Sequence, residues 1–292
     1  MWVVQPTEAN NMQHNTFVKK SYRLQGQKSY SYCLKSVFAL HSETINIWTH
    51  LMAFSWYGWM IVDLNRNGPK NFDEVDMLLM SGAYASCMVT WIISSLYHCL
   101  LCHSEPVYLL WLKLDIMGIA FGFTVTANVF IYYAFYFDQT LKTLYIALIT
   151  SSGLQVGMWT MSFGKSTPDS CTFNLVILAL LWCVPAAHFM YAQEMSRRIG
   201  DILDSFLKMI LANGLGGFVY FSKIPERYLT KRNQLEFFFL PNSHQIMHVL
   251  SPIGGWYAIN MILLTADFQY SKWLNVQSTT TYYYILNLLV TL

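Results

Sequence analysis

MLLMSGAYASCMVTWIISSLYHCLL, residues 77–101, contains no Asp, Glu, Lys or Arg, and its reading decides the fold. A helix needs roughly 20 apolar residues to cross the hydrocarbon core of a bilayer, and this stretch is longer than that. Backbone groups in lipid must be satisfied within the segment, and the sequence lacks the alternation of barrel strands, so the segment reads as a transmembrane helix. Similar runs occupy 47–64, 112–137, 144–163, 171–191, 202–221 and 245–265. The expected fold is therefore an all-α membrane protein, a seven-transmembrane helix bundle. Composition agrees, because 54% hydrophobic, 16% aromatic and only 12% charged residues exclude an ordinary soluble domain. No nucleic-acid partner is expected.

Lysine and arginine in short loops favour the cytoplasmic side. The arm at 1–46 holds Lys19, Lys20, Arg23, Lys28 and Lys35, and the loop before the seventh span holds Lys223, Arg227, Lys231 and Arg232. Both place the N-terminus in the cytoplasm. Arg197 and Arg198 on the opposite side pull the other way. Seven spans then leave the C-terminus outside or lumenal, the reverse of rhodopsin-like receptors. No cleavable signal peptide is visible, so the first span is expected to serve as its own insertion signal. The seven-helix domain covers 47–265 without internal repeats, and a tail follows at 266–292. The apolar run 282–292 is too short to span and reads as an interfacial piece or a disordered end.

The polar residues inside this map carry the chemistry. His244 and His248 stand four apart at the start of the seventh span, which puts both on one helix face roughly 5–6 Å apart. Two imidazoles so placed can share a zinc ion, which commonly takes a third protein ligand and water. His98 at the end of the second span and Asp115 near the start of the third fall at the same depth under this topology. An ionisable group in a span is by default a functional-site hypothesis. The plainer readings are a hydrogen-bonding interfacial histidine for His98 and a first-turn acid complementing the helix dipole for Asp115. Glu43, Asn46 and His50 are expected to cap the first span and bond across it.

Six cysteines make no secreted disulfide pattern, since most lie in or beside spans, and free thiols are expected. Cys99, Cys102 and His103 spell the haem-attachment pattern C-x-x-C-H, but at a cytoplasmic helix end and without an export signal. Cys99 and Cys102 are secondary zinc candidates, although they point away from or beside the face of His98. His188, near Pro185, reads as a packing residue or polar contact.

Several motifs together carry a resemblance. They are Ser42-Glu43-Thr44-Ile45-Asn46-Ile47-Trp48-Thr49-His50, Ser94 to His98 followed by Cys102-His103-Ser104-Glu105, and Lys113-Leu114-Asp115 with Gly118-Ile119-Ala120. Lys223-Ile224-Pro225-Glu226-Arg227 and Ser243-His244-Gln245-Ile246-Met247-His248 complete the set. From about Ser36 to the end of the seventh helix the chain resembles the progestin and adipoQ receptor (adiponectin receptor, haemolysin III-like) family. The S-x-x-x-H, D and H-x-x-x-H signature is also similar to that of alkaline ceramidases.

The resemblance implies a cytoplasmic N-terminus and a zinc ion held by His98, His244 and His248. It gives catalytic roles to Asp115, bonded to the water at the zinc, and to Ser94, one turn before His98. It further implies receptor-type signalling at the plasma membrane or Golgi, with hydrolysis of a membrane lipid amide such as ceramide. An extracellular or lipid ligand and a cytoplasmic signalling partner are implied too. Ser222 to Tyr228 and Tyr133-Ala134-Phe135-Tyr136 look more like the Golgi-located member that tethers a Raf-type kinase. The chain departs from the family in its short polar arm, in Thr230-Lys231-Arg232-Asn233 where a Pro-Gly turn is usual, and in the added Phe237-Phe238-Phe239-Leu240. With the third span also lacking the aromatic and proline pattern of adiponectin receptors, these departures argue against adiponectin as ligand. Three functions stay open: a zinc-dependent lipid amide hydrolase, a ligand-sensing receptor with structural zinc, and a scaffold whose basic arm binds a kinase or anionic lipid.

Overall fold

A computed structural model describes residue 23 and residues 28–162, 168–229 and 242–290; the side chains of 168–172, 229, 275, 276 and 278–290 lie outside the description. The regular structure among the described residues is helical. A short α1 (Tyr30–Ser36) is started by Ser29, whose side chain accepts from the Tyr32 N–H. The long helices are α2 (Thr44–Asn67), α3 (Glu74–Leu100), α4 (Glu105–Ala134), α5 (Gln139–Ser162), α6 (Pro168–Tyr191) and α7 (Arg197–Ser222). One turn, α8 (Glu226–Leu229), precedes the 48-residue α9 (Ser243–Val290).

Five of these are long and apolar enough to cross a membrane: α3, α4, α6 over Phe173–Tyr191, the α7 region over Arg197–Tyr228, and α9 over Ser243–Leu274. The chain is a multi-pass integral membrane protein. The 24 residues of α2 and of α5 rise about 36 Å each, as long as a span needs, but both are less apolar. In α2 the difference comes from Asn46, His50 and three tryptophans; in α5 it comes from scattered Thr, Ser and Gln.

The bundle is built on α9, which lies along α7 and also touches α2, α3 and α4, while α4 packs on α3, α5 and α6. Large apolar side chains such as Trp56, Trp59, Leu154, Phe173, Leu180 and Phe218 point outward. The interior instead encloses Asn46, His50, Ser94, Ser95, His98 and His248. Lipid solvates the first set, and only helix–helix contacts can satisfy the second.

Two helix boundaries differ from the sequence reading. Ser104 takes an extended N-cap geometry and Pro106 sits in the first turn, so α4 starts at Glu105 instead of near Leu112. Asp115 is thereby ten residues past Glu105, in the third turn, and the dipole-complementing first-turn reading is set aside. At the other end, α9 does not stop near Thr265 but continues as one helix to Val290, so the run read as an interfacial or disordered end is helical through that residue. Phe163, Lys231, Arg232 and Phe237-Phe238-Phe239-Leu240 fall outside the described residues.

Close approaches fix α9 below its first turns. Pro252 has no N–H to give the His248 carbonyl, and Tyr57 of α2 donates its hydroxyl to the Pro252 carbonyl at 2.8 Å. A β-carbon at Gly255 would meet that hydroxyl oxygen at 2.7 Å, and one at Gly254 would meet Asn213 of α7 at 2.4 Å. Only glycine lets both neighbours come this near.

Candidate metal centre

The first turn of α9 is held by five polar contacts. Gln245 N–H donates to Asn242 Oδ1 and Asn242 N–H donates to Gln245 Oε1, each at 3.0 Å, a reciprocal box that satisfies backbone donors at a helix start. The Ser243 N–H donates to Glu226 at 2.8 Å, and the Ser243 hydroxyl donates to the other oxygen of the same carboxylate. A carboxylate here also complements the positive end of the helix dipole. Gln245 Nε2 then donates to the Ser42 carbonyl at 3.1 Å, joining α9 to the turn before α2.

Held this way, His244 and His248 face His98 of α3. One nitrogen from each ring lies within 4.8 Å of the others, with His98 and His248 buried and His244 half-buried. The Nε2 atoms of His98 and His244 are 3.4 Å apart. The three rings, named from sequence as a ligand set, are brought together and could hold one metal ion.

His98 is oriented from behind. Its Nδ1 lies 2.8 Å from Glu43 Oε2, so Nδ1–H donates to the carboxylate and Nε2 faces the other histidines. Asn46 Nδ2 donates to the same oxygen at 2.7 Å. Burial works against ionising Glu43, but the hydrogen bond and charge of His98 and the Asn46 amide outweigh it and hold the carboxyl well below the usual carboxylate range. Glu43 occupies the N-cap position of α2 yet makes no side-chain cap bond there. Of the two expected roles, capping is absent at Glu43 and the bond across is made, to His98 of α3.

Arg23 supports the same histidine through its backbone. It is only 3% exposed, and its guanidinium donates to the carbonyls of His98 at 2.5 Å and Cys99 at 2.7 Å and to Ser36 Oγ at 2.8 Å. The last carbonyls of a helix lack intrahelical donors and carry the negative dipole end, so a cation there serves both needs. The sequence marked Arg23 only as part of a topology signal.

Ser94, buried on α3, is hydrogen-bonded to Asp115 of α4. Asp115 Oδ1 is buried without a hydrogen-bond partner among the described protein atoms. His50 of α2 stacks on His248, with centroids 3.8 Å apart and planes at 14°, and also meets Trp91, with centroids 4.9 Å apart and planes at 54°. Glu43, Asn46 and His50 recur along one side of an otherwise apolar helix, the signal that could have placed all three at the site.

Cys99 and Cys102 do not join the histidines, which removes them as secondary metal ligands. They pack with Cys33 of α1 instead, the Cys33 and Cys102 sulfurs being 3.6 Å apart. Cys33, Cys87, Cys99, Cys102 and Cys183 are free thiols, as expected. Tyr145 and His188 bond at 2.8 Å between α5 and α6, the polar contact that is one of the two readings of His188.

Residues 38–259 match the family model described as haemolysin-III related. The chain belongs to the haemolysin III-related family. Its relatives within that family include progestin and adipoQ receptor family member 4 of Mus musculus, 30% identical over 82% of this chain and 84% of the relative. Progestin and adipoQ receptor-like protein 1 of Caenorhabditis elegans is 27% identical over 84% of this chain and 56% of its own length. The adiponectin receptor protein of Drosophila melanogaster is 27% identical over 82% and 54%. The chain thus spans little more than half of these last two. The family match takes in Glu43, Ser94, His98, Asp115, His244 and His248, whereas Arg23 and Cys33 precede it.

Proposed function

We propose that this haemolysin III-family protein holds zinc at His98, His244 and His248 and hydrolyses a lipid amide of the ceramide class, in a seven-span bundle with a cytoplasmic N-terminus. The observation that carries the reading is the meeting of three imidazoles with a buried, half-bonded carboxylate, that of Asp115. Two Zn–N bonds of about 2.0–2.1 Å at a tetrahedral angle separate their nitrogens by about 3.3 Å, and His98 and His244 stand at 3.4 Å. The Glu43 bond to Nδ1 is the outer contact that metal-ligating histidines use to fix ring orientation and basicity.

Zinc bound there would polarise the amide carbonyl and lower the pKa of water toward about 7. The protein residues have separate tasks. Ser94 keeps one side of the Asp115 carboxylate occupied, which leaves Oδ1 to accept a proton from the attacking water and pass it to the departing amine. The apolar helices around the site exclude bulk water and favour a substrate already dissolved in the bilayer. A free Oδ1 favours catalysis over a purely structural metal, for which that carboxylate oxygen has no use.

The test is fatty-acid release from ceramide by protein reconstituted in vesicles, comparing the parent with Asp115→Asn. Turnover in the parent and its loss by at least about 100-fold in Asp115→Asn, with metal retained, is the expected result. Metal retention without turnover in the parent would favour the ligand-sensing receptor with structural zinc.

A further inference from the structure

The thiol cluster beneath the metal centre is independent of the proposed hydrolysis. Cys33 on α1 and Cys102 on the turn after α3 are fully buried, and their sulfurs are in van der Waals contact at 3.6 Å although 69 residues apart in sequence. Cys99 lies beside them, its thiol turned to the Cys33 carbonyl at 3.5 Å, so Cys102 faces Cys33 and not its C-x-x-C neighbour. The Arg23 guanidinium is built into the same packet through Ser36 and Cys99.

We propose that Cys33 and Cys102 are a reversible dithiol–disulfide site that takes a hydroperoxide as its oxidant and, once closed, latches α1 to the turn following α3. Contact between sulfurs leaves about 1.5 Å to close to a bonded distance of about 2.05 Å. The movable partner is α1, a seven-residue helix that packs on α3. Cys102 is the attacking thiol: its hydrogen bond from Cys33 outweighs burial, and with Arg23 nearby it is lowered to about 7, while Cys33 is raised.

The electrons balance within the pair and the peroxide. The Cys102 thiolate attacks the terminal oxygen of the hydroperoxide, an S–O bond forms, the O–O bond breaks, and the departing alkoxide, or hydroxide from hydrogen peroxide, takes a proton to become an alcohol or water. The Cys33 sulfur then attacks the Cys102 sulfur, the S–S bond forms, the S–O bond breaks, and the second oxygen leaves as water with the Cys33 proton. Two thiols are oxidised by two electrons and one hydroperoxide is reduced. Thiol pairs of this kind in reducing compartments are transient and sense redox state.

The experiment uses the full chain in detergent micelles, treated with hydrogen peroxide, alkylated under native conditions and then after unfolding, and mapped by mass spectrometry without reduction. The expected product is one peptide pair joined through Cys33 and Cys102, absent from Cys33→Ser, and reopened by dithiothreitol, with Cys99 recovered as a free thiol. Peroxide that leaves all three thiols free while oxidising an exposed reference thiol, or a disulfide through Cys99, overturns the proposal. Because the decisive reading is made on the parent protein, it stands even where Cys33→Ser does not fold.

Discussion

Glu43 and His98, on different helices and 55 residues apart, are joined by a 2.8 Å hydrogen bond that fixes which nitrogen of the imidazole faces the other two histidines. That bond converts a surface-type residue at the start of α2 into part of the metal centre. It predicts that Glu43→Ala lowers zinc affinity by about 10–100-fold, the usual cost of losing an outer-sphere partner. Glu43→Gln, which keeps an acceptor oxygen without the charge, is expected to fall between. Competition against a chromogenic chelator measures both, and equal affinity in all three proteins would contradict the assignment.

Arg23 makes a prediction of a different kind, since it touches no ligand ring. Arg23→Met removes the donors to the His98 and Cys99 carbonyls and Ser36 Oγ while keeping most of the buried stem. The expected loss is about 1–3 kcal/mol of stability, from buried acceptors left without partners. Thermal unfolding in detergent checks it. A midpoint unchanged in Arg23→Met would mean that the arm does not hold the end of α3.

Glu226 anchors Ser243, the residue immediately before His244. Glu226→Ala is expected to cost about 1–2 kcal/mol as a lost helix cap and also to weaken zinc binding, because the first turn of α9 carries a ligand. Thermal unfolding combined with a zinc titration separates the two effects. Loss of stability with zinc affinity intact would show that His244 is positioned independently of the cap.

Much of this was legible in the sequence because the information was local. Long apolar runs give the helices, and four-residue spacing puts His244 and His248 on one face whatever the rest of the chain does. What was not legible depends on tertiary contact or on a few terminal residues. The polar Ser104-Glu105-Pro106 start of α4 extends it two turns ahead of its apolar run and moves Asp115 deep into the helix. The short α1 has no long period to reveal it, and so Cys33 could not be matched with Cys102. Arg23 and Glu43 looked like a loop charge and a helix cap, because their partners on α3 are 75 and 55 residues away.

Gly254 tests the packing that holds α9 in place. Gly254→Ala brings a methyl against the side-chain amide of Asn213, which must turn aside and give up its bond to the Met209 carbonyl, a loss of about 0.5–1.5 kcal/mol. The double variant Gly254→Ala/Asn213→Ala should cost less than the sum of the two single variants, because the same bond is lost only once, read as the coupling energy in thermal unfolding. Additive losses would show that the methyl does not displace the amide.

A metal ion shared by α3 and α9 is tested most directly by the metal content of the purified protein, measured by mass spectrometry. The predicted result is about one zinc per chain, lost in His98→Ala and in the His244→Ala/His248→Ala double variant and retained in a His188→Ala control. A parent protein without zinc, or a His98→Ala variant that binds it as tightly as the parent, would contradict the metal centre.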